Sequence, residues 1–174
     1  GVICDAQTFE CEPNPENPEG QFVKYVNRPG VNRTDIFPTF NIAEGSPYVG
    51  SGALDGNGIP LNFFSDINVR QALATCFNYE VYNEEVLLGQ GVRNNGTIIK
   101  GMLGYNDDGP MYEYDPEACA AHLEAAWDGV LPETGFRFQI GFNTGNTTRQ
   151  TIAEILQAEF GAINPLYQVE VVGL

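Results

Sequence analysis

The alternation of Phe136, Phe138, Ile140 and Phe142 with Arg137, Gln139 and Gly141 constrains this chain more than any other feature. Residues two apart share one face of a strand, so these four make a wholly apolar face that must be covered. A helical pattern follows at once. Ile152, Ile155, Leu156 and Phe160 recur at helical spacing, and Thr147 with Gln150 reads as the capping box that starts a helix from Thr148 to Phe160. The run Val169-Glu170-Val171-Val172 then reads as a further strand. Strand, helix, strand in this order predicts a right-handed crossover, hence an α/β fold: a layered mixed sheet with flanking helices.

Two earlier helices carry clear start signals. Ser65 or Asp66 can cap a helix whose apolar stripe is Val69, Leu73, Cys76 and Phe77. In Asp115-Pro116-Glu117, the Asp115 carboxylate can accept orphan N–H groups of the first turn. Pro116 is preset for the first helical position, and Glu117 complements the dipole. That helix is expected to run to about Trp127, with Cys119, Leu123, Ala126 and Trp127 inward. Between these two, Tyr79 to Leu88 reads as another helix with Val81, Val86 and Leu87 inward, stopped by Gly89-Gln90-Gly91. Residues 92–113, rich in Gly and Asn, read as irregular.

The first third is punctuated differently. Residues 12–20 hold three prolines and three glutamates and read as an exposed loop. Gln21–Val26 alternates weakly, as in a short strand before a turn at Arg28-Pro29-Gly30. Asp35–Ala43 reads as a strand with Phe37, Thr39 and Asn41 on one face and Ile36, Phe40 and Ile42 on the other. Pro38 places it at an edge or a bulge. Residues 44–62 contain five glycines and two prolines and read as a long surface insertion. Its Gly50–Gly56 run misses the dinucleotide spacing, and Asp55-Gly56-Asn57-Gly58 lacks the later acidic ligands of a calcium loop.

Composition narrows the function. The net charge of −15 excludes nucleic acid as a partner, because phosphate binding needs clustered Lys and Arg. No apolar run approaches the roughly 18 residues of a membrane span. Gly1-Val2-Ile3-Cys4-Asp5 lacks the pattern of a signal peptide, so Gly1 reads as the start of a processed or cut chain. Cys4 and Cys11 are expected to close a small disulfide loop in an exported protein. Cys76 and Cys119 are expected to be buried thiols rather than a bridge. Cys119 and the single histidine, His122, lie three apart on one helix, but two ligands do not make a zinc site.

Taken in order, Asp66-Ile67-Asn68-Val69-Arg70-Gln71-Ala72, Tyr114-Asp115-Pro116-Glu117-Ala118, Phe142-Asn143-Thr144-Gly145-Asn146 and the strand Tyr167–Val172 resemble family 5 of the extracellular solute-binding proteins, the receptors of bacterial peptide and nickel importers. Asn41 occupies the place where the family's strand ends in Asn. The family continues its first helix with Asp-Arg or Asp-Lys, whereas this chain has Asn78-Tyr79. The resemblance implies a two-lobed periplasmic-binding-protein type II fold, with residues 36–174 as the first half of the second lobe and 1–35 as a loop-rich leading segment. It further implies a receptor, not an enzyme, that holds a peptide or other small solute between lobes and delivers it to the membrane permease of an ABC transporter. No cofactor is implied. Location would be extracellular or periplasmic, with lipid anchoring in the full-length protein. Phe37, Thr39 and Asn41, with the region from Leu87 through Gly89 to Gly91, are the residues left to line a cleft. The acidic residue that anchors peptides in such proteins would fall beyond Leu174. Arg70 is expected to pair with an internal carboxylate rather than with ligand.

Two other classes compete. A glycoside hydrolase would use paired carboxylates, for which Asp107-Asp108 and Glu84-Glu85 are candidates, although adjacent acids in polar contexts are ordinarily solvated. A cell-surface carbohydrate- or protein-binding module would suit the Asn-x-Thr sequons at Asn32, Asn95 and Asn146.

Overall fold

A computed structural model describes residues 1–18, 20, 22–26, 30 and 32–174. Two sheets and five α-helices organise these residues, with short 3₁₀ or π turns between them. Strands β1 (Val2–Asp5), β2 (Cys11–Pro13) and β3 (Val23–Val26) form one sheet in the order β2-β1-β3. β1 pairs antiparallel with β2 and parallel with β3. The leading segment, expected to be loop-rich, holds this small mixed sheet, and the Cys4–Cys11 disulfide bridges directly paired residues of β1 and β2. Strand β3 falls inside the expected Gln21–Val26, whereas Gln21 and the turn at Arg28-Pro29 lie outside the described residues.

The larger part is built on helices α1 (Ile67–Thr75) and α3 (Pro116–Ala125). Asp66 and Asp115 cap them, accepting from Asn68 N and Ala118 N respectively. The two helices run antiparallel. Asp115 N donates to Thr75 O across one end (2.9 Å), and Trp127 N donates to the Asp66 carboxylate across the other (2.8 Å). Between those ends Cys76 and Cys119 form a second disulfide, with Cα atoms 5.2 Å apart and both residues fully buried. The expectation of two free thiols is corrected. α1 and α3 lie side by side, which no local pattern around either cysteine announces.

Helix α4 (Leu131–Thr134) leads into strand β4 (Phe136–Phe142), helix α5 (Thr147–Ile163) and strand β5 (Tyr167–Gly173). β4 and β5 pair in parallel from Phe136↔Tyr167 to Phe142↔Gly173, as the strand–helix–strand order predicts. The cap of α5 is Asn146 rather than Thr147, its side chain accepting from Arg149 N. Asn stands one residue earlier and reaches the same first-turn donors. Phe63, Phe136, Phe138, Phe160, Tyr167 and Val169 form the centre of the core. Phe136 stacks on Tyr167 at 4.8 Å between centroids and meets Phe160 edge-on at 5.8 Å. A second cluster joins Phe77 to Ile152 and Leu156.

Three further expectations change. Asp35–Ala43 forms no strand; Ile36, Phe37 and Phe40 are exposed, and no β partner meets them. Alternation makes a strand only when a ladder is available, and Pro38 removes a donor. Residues 44–62 are not a mere surface insertion, because Val49 and Ile59 are buried in the main core. Gly50 and Gly58 form an isolated bridge, and Gln139 N donates to Tyr48 O (2.9 Å), so this segment covers the outer edge of β4. Gly50 has φ +63, and a Cβ there would overlap Asn57 O, so glycine is required. Lastly, the expected Tyr79–Leu88 helix is a single turn, α2 (Tyr79–Val81), continued by a π-type turn over Tyr82–Val86. Val81 is exposed, and Tyr79 and Tyr82 supply the packing against Phe77 instead.

Candidate functional site

An open cleft of about 700 Å³ lies beside α2, lined by Asn78, Tyr79, Glu80, Glu84, Arg93, Glu113 and Tyr114 among others. Its floor is rigid. Asn78 caps α2 by accepting from Val81 N, the Tyr79 hydroxyl donates to Ala74 O at the end of α1 (2.8 Å), and the Tyr79 ring meets Phe77 edge-on. Burial pushes the Tyr79 phenol above its ordinary pKa of 10.0, while the positive charge of Arg93 pulls the other way. Tyr79 is therefore a neutral donor near neutral pH.

Arg93 is the centre of the cleft wall. Its guanidinium lies over the Tyr79 ring at 4.2 Å, pairs with Glu113 at 2.6 Å and donates to Tyr112 O. Tyr114, from the Tyr-Asp-Pro-Glu motif, donates to the Glu159 carboxylate of α5 (2.9 Å). Burial first, and then that hydrogen bond, raises the Tyr114 phenol. Nearby, burial also raises Tyr82, whose hydroxyl is the one buried side-chain polar atom without a hydrogen-bond partner among the described residues. The lining mixes two aromatic faces, three carboxylates and one guanidinium. That set offers hydrogen-bond donors, acceptors and aromatic faces to a polar solute.

The residues predicted from sequence fall elsewhere. Phe37 is 80% exposed on the segment that is not a strand. Thr39 and Asn41 bond one another, Thr39 Oγ1 donating to Asn41 O (3.2 Å) and accepting from Asn41 N (3.4 Å). Leu87 is half-buried, and Gly89 has φ +71 with its N–H on Asn83 O. Among the described residues no hydrogen bond or ring contact joins the 37–41 group to the 87–89 group. Among the described residues Arg70 pairs with no carboxylate; it donates to Phe64 O (2.8 Å) and Ser65 O (2.7 Å) and lies over the Phe40 ring at 4.4 Å. It fastens the 35–43 segment to the start of α1. No local motif marks Arg93, Glu113 or Tyr79 as a site residue. The one available signal was the substitution of Asn78-Tyr79 for the family's charged pair.

Asp107 and Glu84 are exposed, and the described residues contain no group of His, Cys, Asp and Glu able to hold a metal. Asn95 is occupied internally, its amide donating to Asn106 O (2.7 Å) and Gly109 O (3.2 Å), and Asn146 caps α5. Among the described residues no helix is long and apolar enough to cross a membrane.

Comparison with known proteins agrees with this architecture. The chain is 31% identical over 149 residues to the dipeptide-binding protein of Escherichia coli (strain K12), covering 83% of this chain and 27% of that protein. It is 32% identical over 121 residues to oligopeptide-binding protein AppA of Bacillus subtilis (strain 168), covering 63% of this chain and 22% of that one. The chain thus spans about a quarter of the length of these relatives. In fold it resembles the crystal structure of NikZ from Campylobacter jejuni in complex with Ni(L-His). The TM-score is 0.51 at 23% identity, over 64% of this chain and 23% of that one. The description "Bacterial extracellular solute-binding proteins, family 5 Middle" matches residues 17–172, nearly the whole sequence, and the chain belongs to that family.

Proposed function

We propose that this chain is a section of the receptor of an ABC-type importer that captures oligopeptides between two lobes and delivers them to the membrane permease. One observation carries the reading: the family match runs from residue 17 to 172, and the relatives it aligns with are named for binding dipeptides, di- and tripeptides, and oligopeptides. The mechanism is hinge closure, in which solute favours the closed state that docks on the permease. Two disulfides suit an oxidising compartment, in keeping with a periplasmic or extracellular protein held at the membrane by a lipid. Phe37, with Thr39 and Asn41, and the turn at Leu87 and Gly89 are surfaces this section offers to solute, and the Tyr79–Arg93 cleft is a third. No cofactor enters the scheme, and catalysis plays no part in it.

The test is capture by the full-length receptor from a mixed peptide library, with mass spectrometry of what survives washing. Peptides of a narrow length range are expected. Recovery of a metal chelate or a sugar would keep the receptor and replace its solute, while chemically altered library members would overturn the binding reading.

A further inference from the structure

Residues 94–112 leave and re-enter the fold at nearly the same point. At the base of the loop the closing contacts converge on one side chain, while Arg33 makes a separate attachment further along it. Arg93, at the exit, touches both residues of the return, Glu113 through its carboxylate and Tyr112 through its carbonyl, and its flat face rests on Tyr79. Tyr79 is itself pinned to Ala74 O and Phe77, so the guanidinium ties the loop to the end of α1. Inside, the loop has its own hydrogen bonds: Lys100 N to Asn94 Oδ1, Met102 N to Ile99 O, Tyr105 N to Met102 O, and the Asn95 amide to Asn106 O. Outside this closure, the Arg33 guanidinium adds bonds to Gly96 O and Thr97 O, and Leu103 at the tip is fully exposed. None of residues 94–112 belongs to either buried core cluster.

From this we infer that Arg93 is a latch: it holds the 94–112 loop closed as one unit beside the cleft, and its release frees the loop without unfolding the α/β core. The physical basis is threefold. A segment with no core residues opens at low free-energy cost once its closing contact is lost. A planar guanidinium can serve a carboxylate, a carbonyl and an aromatic face together, which a single ammonium does not. Three of the latch residues, Tyr79, Arg93 and Glu113, are also walls of the cleft, so a solute that engages any of them competes with the closure. The inference concerns loop order and stands whether or not the solute is a peptide.

The test is amide hydrogen exchange, read by mass spectrometry, on the full-length receptor and its Arg93→Ala and Arg93→Lys variants. In Arg93→Ala, peptides covering 94–112 are expected to exchange at least about tenfold faster, while those from α1, α3 and α5 keep their wild-type rates. Arg93→Lys, which retains charge but not the fork, is expected to fall between. Unchanged exchange in 94–112, or equal loss of protection throughout the core, would overturn the latch. Full recovery by Arg93→Lys would overturn the three-way engagement.

Discussion

The Asp66 carboxylate serves two elements at once: Oδ1 accepts from Asn68 N to cap α1 (2.7 Å), and Oδ2 accepts from Trp127 N beyond the end of α3 (2.8 Å). Trp127 and Asp128 have φ of 52 and 57, so the chain turns sharply there through left-handed backbone. The turn is held by Asp66 and by the Trp127 indole, which donates to Phe63 O (3.3 Å) and stacks on the Phe63 ring. A residue legible as a local helix cap is also a tertiary clamp.

Asp66→Ala should therefore cost more than a cap. Loss of the cap is worth about 1 kcal/mol, and the half-buried Trp127 N–H left without a partner adds roughly 1–2 kcal/mol. Asp66→Asn keeps one acceptor oxygen and should lose about half as much. Denaturant midpoints of the three proteins measure the difference, and equal midpoints for Asp66→Ala and a generic cap loss would remove the clamp.

Breaking the Cys76–Cys119 bridge should destabilise strongly. The cysteines lie 43 residues apart, for which loop-closure entropy predicts about 4 kcal/mol. A Cys76→Ala/Cys119→Ala variant avoids leaving a buried thiol, and the two buried sulfur atoms it deletes add a cavity cost to that term. Its unfolding midpoint should fall further below that of the wild type than the midpoint of a Cys4→Ala/Cys11→Ala variant does, because the Cys4–Cys11 bridge spans a separation of only 7 residues.

Two phenylalanines should respond in opposite ways to truncation. Phe136 is 1% exposed and contacts Phe63, Phe138, Phe160 and Tyr167, so Phe136→Ala should cost about 3–5 kcal/mol. Phe37→Ala, at a residue 80% exposed, should change stability by no more than about 0.5 kcal/mol. Any larger role of Phe37 would then show in solute binding to the full-length receptor.

Glu170 on β5 gives a pH signature. Its carboxylate accepts from Gln139 Nε2 on β4 (2.8 Å) and pairs with Arg137; the Gln139 hydrogen bond first, and then Arg137, hold it below its ordinary pKa of 4.5. A carboxyl with a lowered folded-state pKa lends stability that is complete above 4.5 and is lost as pH falls through the lower folded value. The wild type should lose this increment in that acid window, and Glu170→Gln should not. Solvent screens the pair, so the increment is at most about 1 kcal/mol. Parallel melting curves from pH 7 down to about pH 3 would reveal a constant gap between the two proteins if the coupling is absent.

Local chemistry accounts for most of what could be read in advance. Asp115 and Pro116 start a helix because the carboxylate and the fixed φ act within one turn. Phe136 to Phe142 make a strand because alternation yields one apolar face, and β5 stands ready to pair with it. The same alternation over Asp35–Ala43 failed, since no neighbouring strand offers a ladder and Pro38 lacks a donor. Tyr79, Arg93 and Glu113 escaped notice because their meaning lies in proximity between residues 14 to 34 positions apart.

Helix starts, the parallel β4–β5 unit, the acidic surface and the family were thus determined by the order of residues, because each rests on interactions within a few positions or on total charge. The antiparallel contact of α1 with α3 decided the rest. It brings Cys76 to Cys119 and Asp66 to Trp127, as the return of the 94–112 loop brings Arg93 to Glu113. Such pairings depend on where whole elements pack, and packing is settled by shape and burial across the fold rather than by any neighbouring residue.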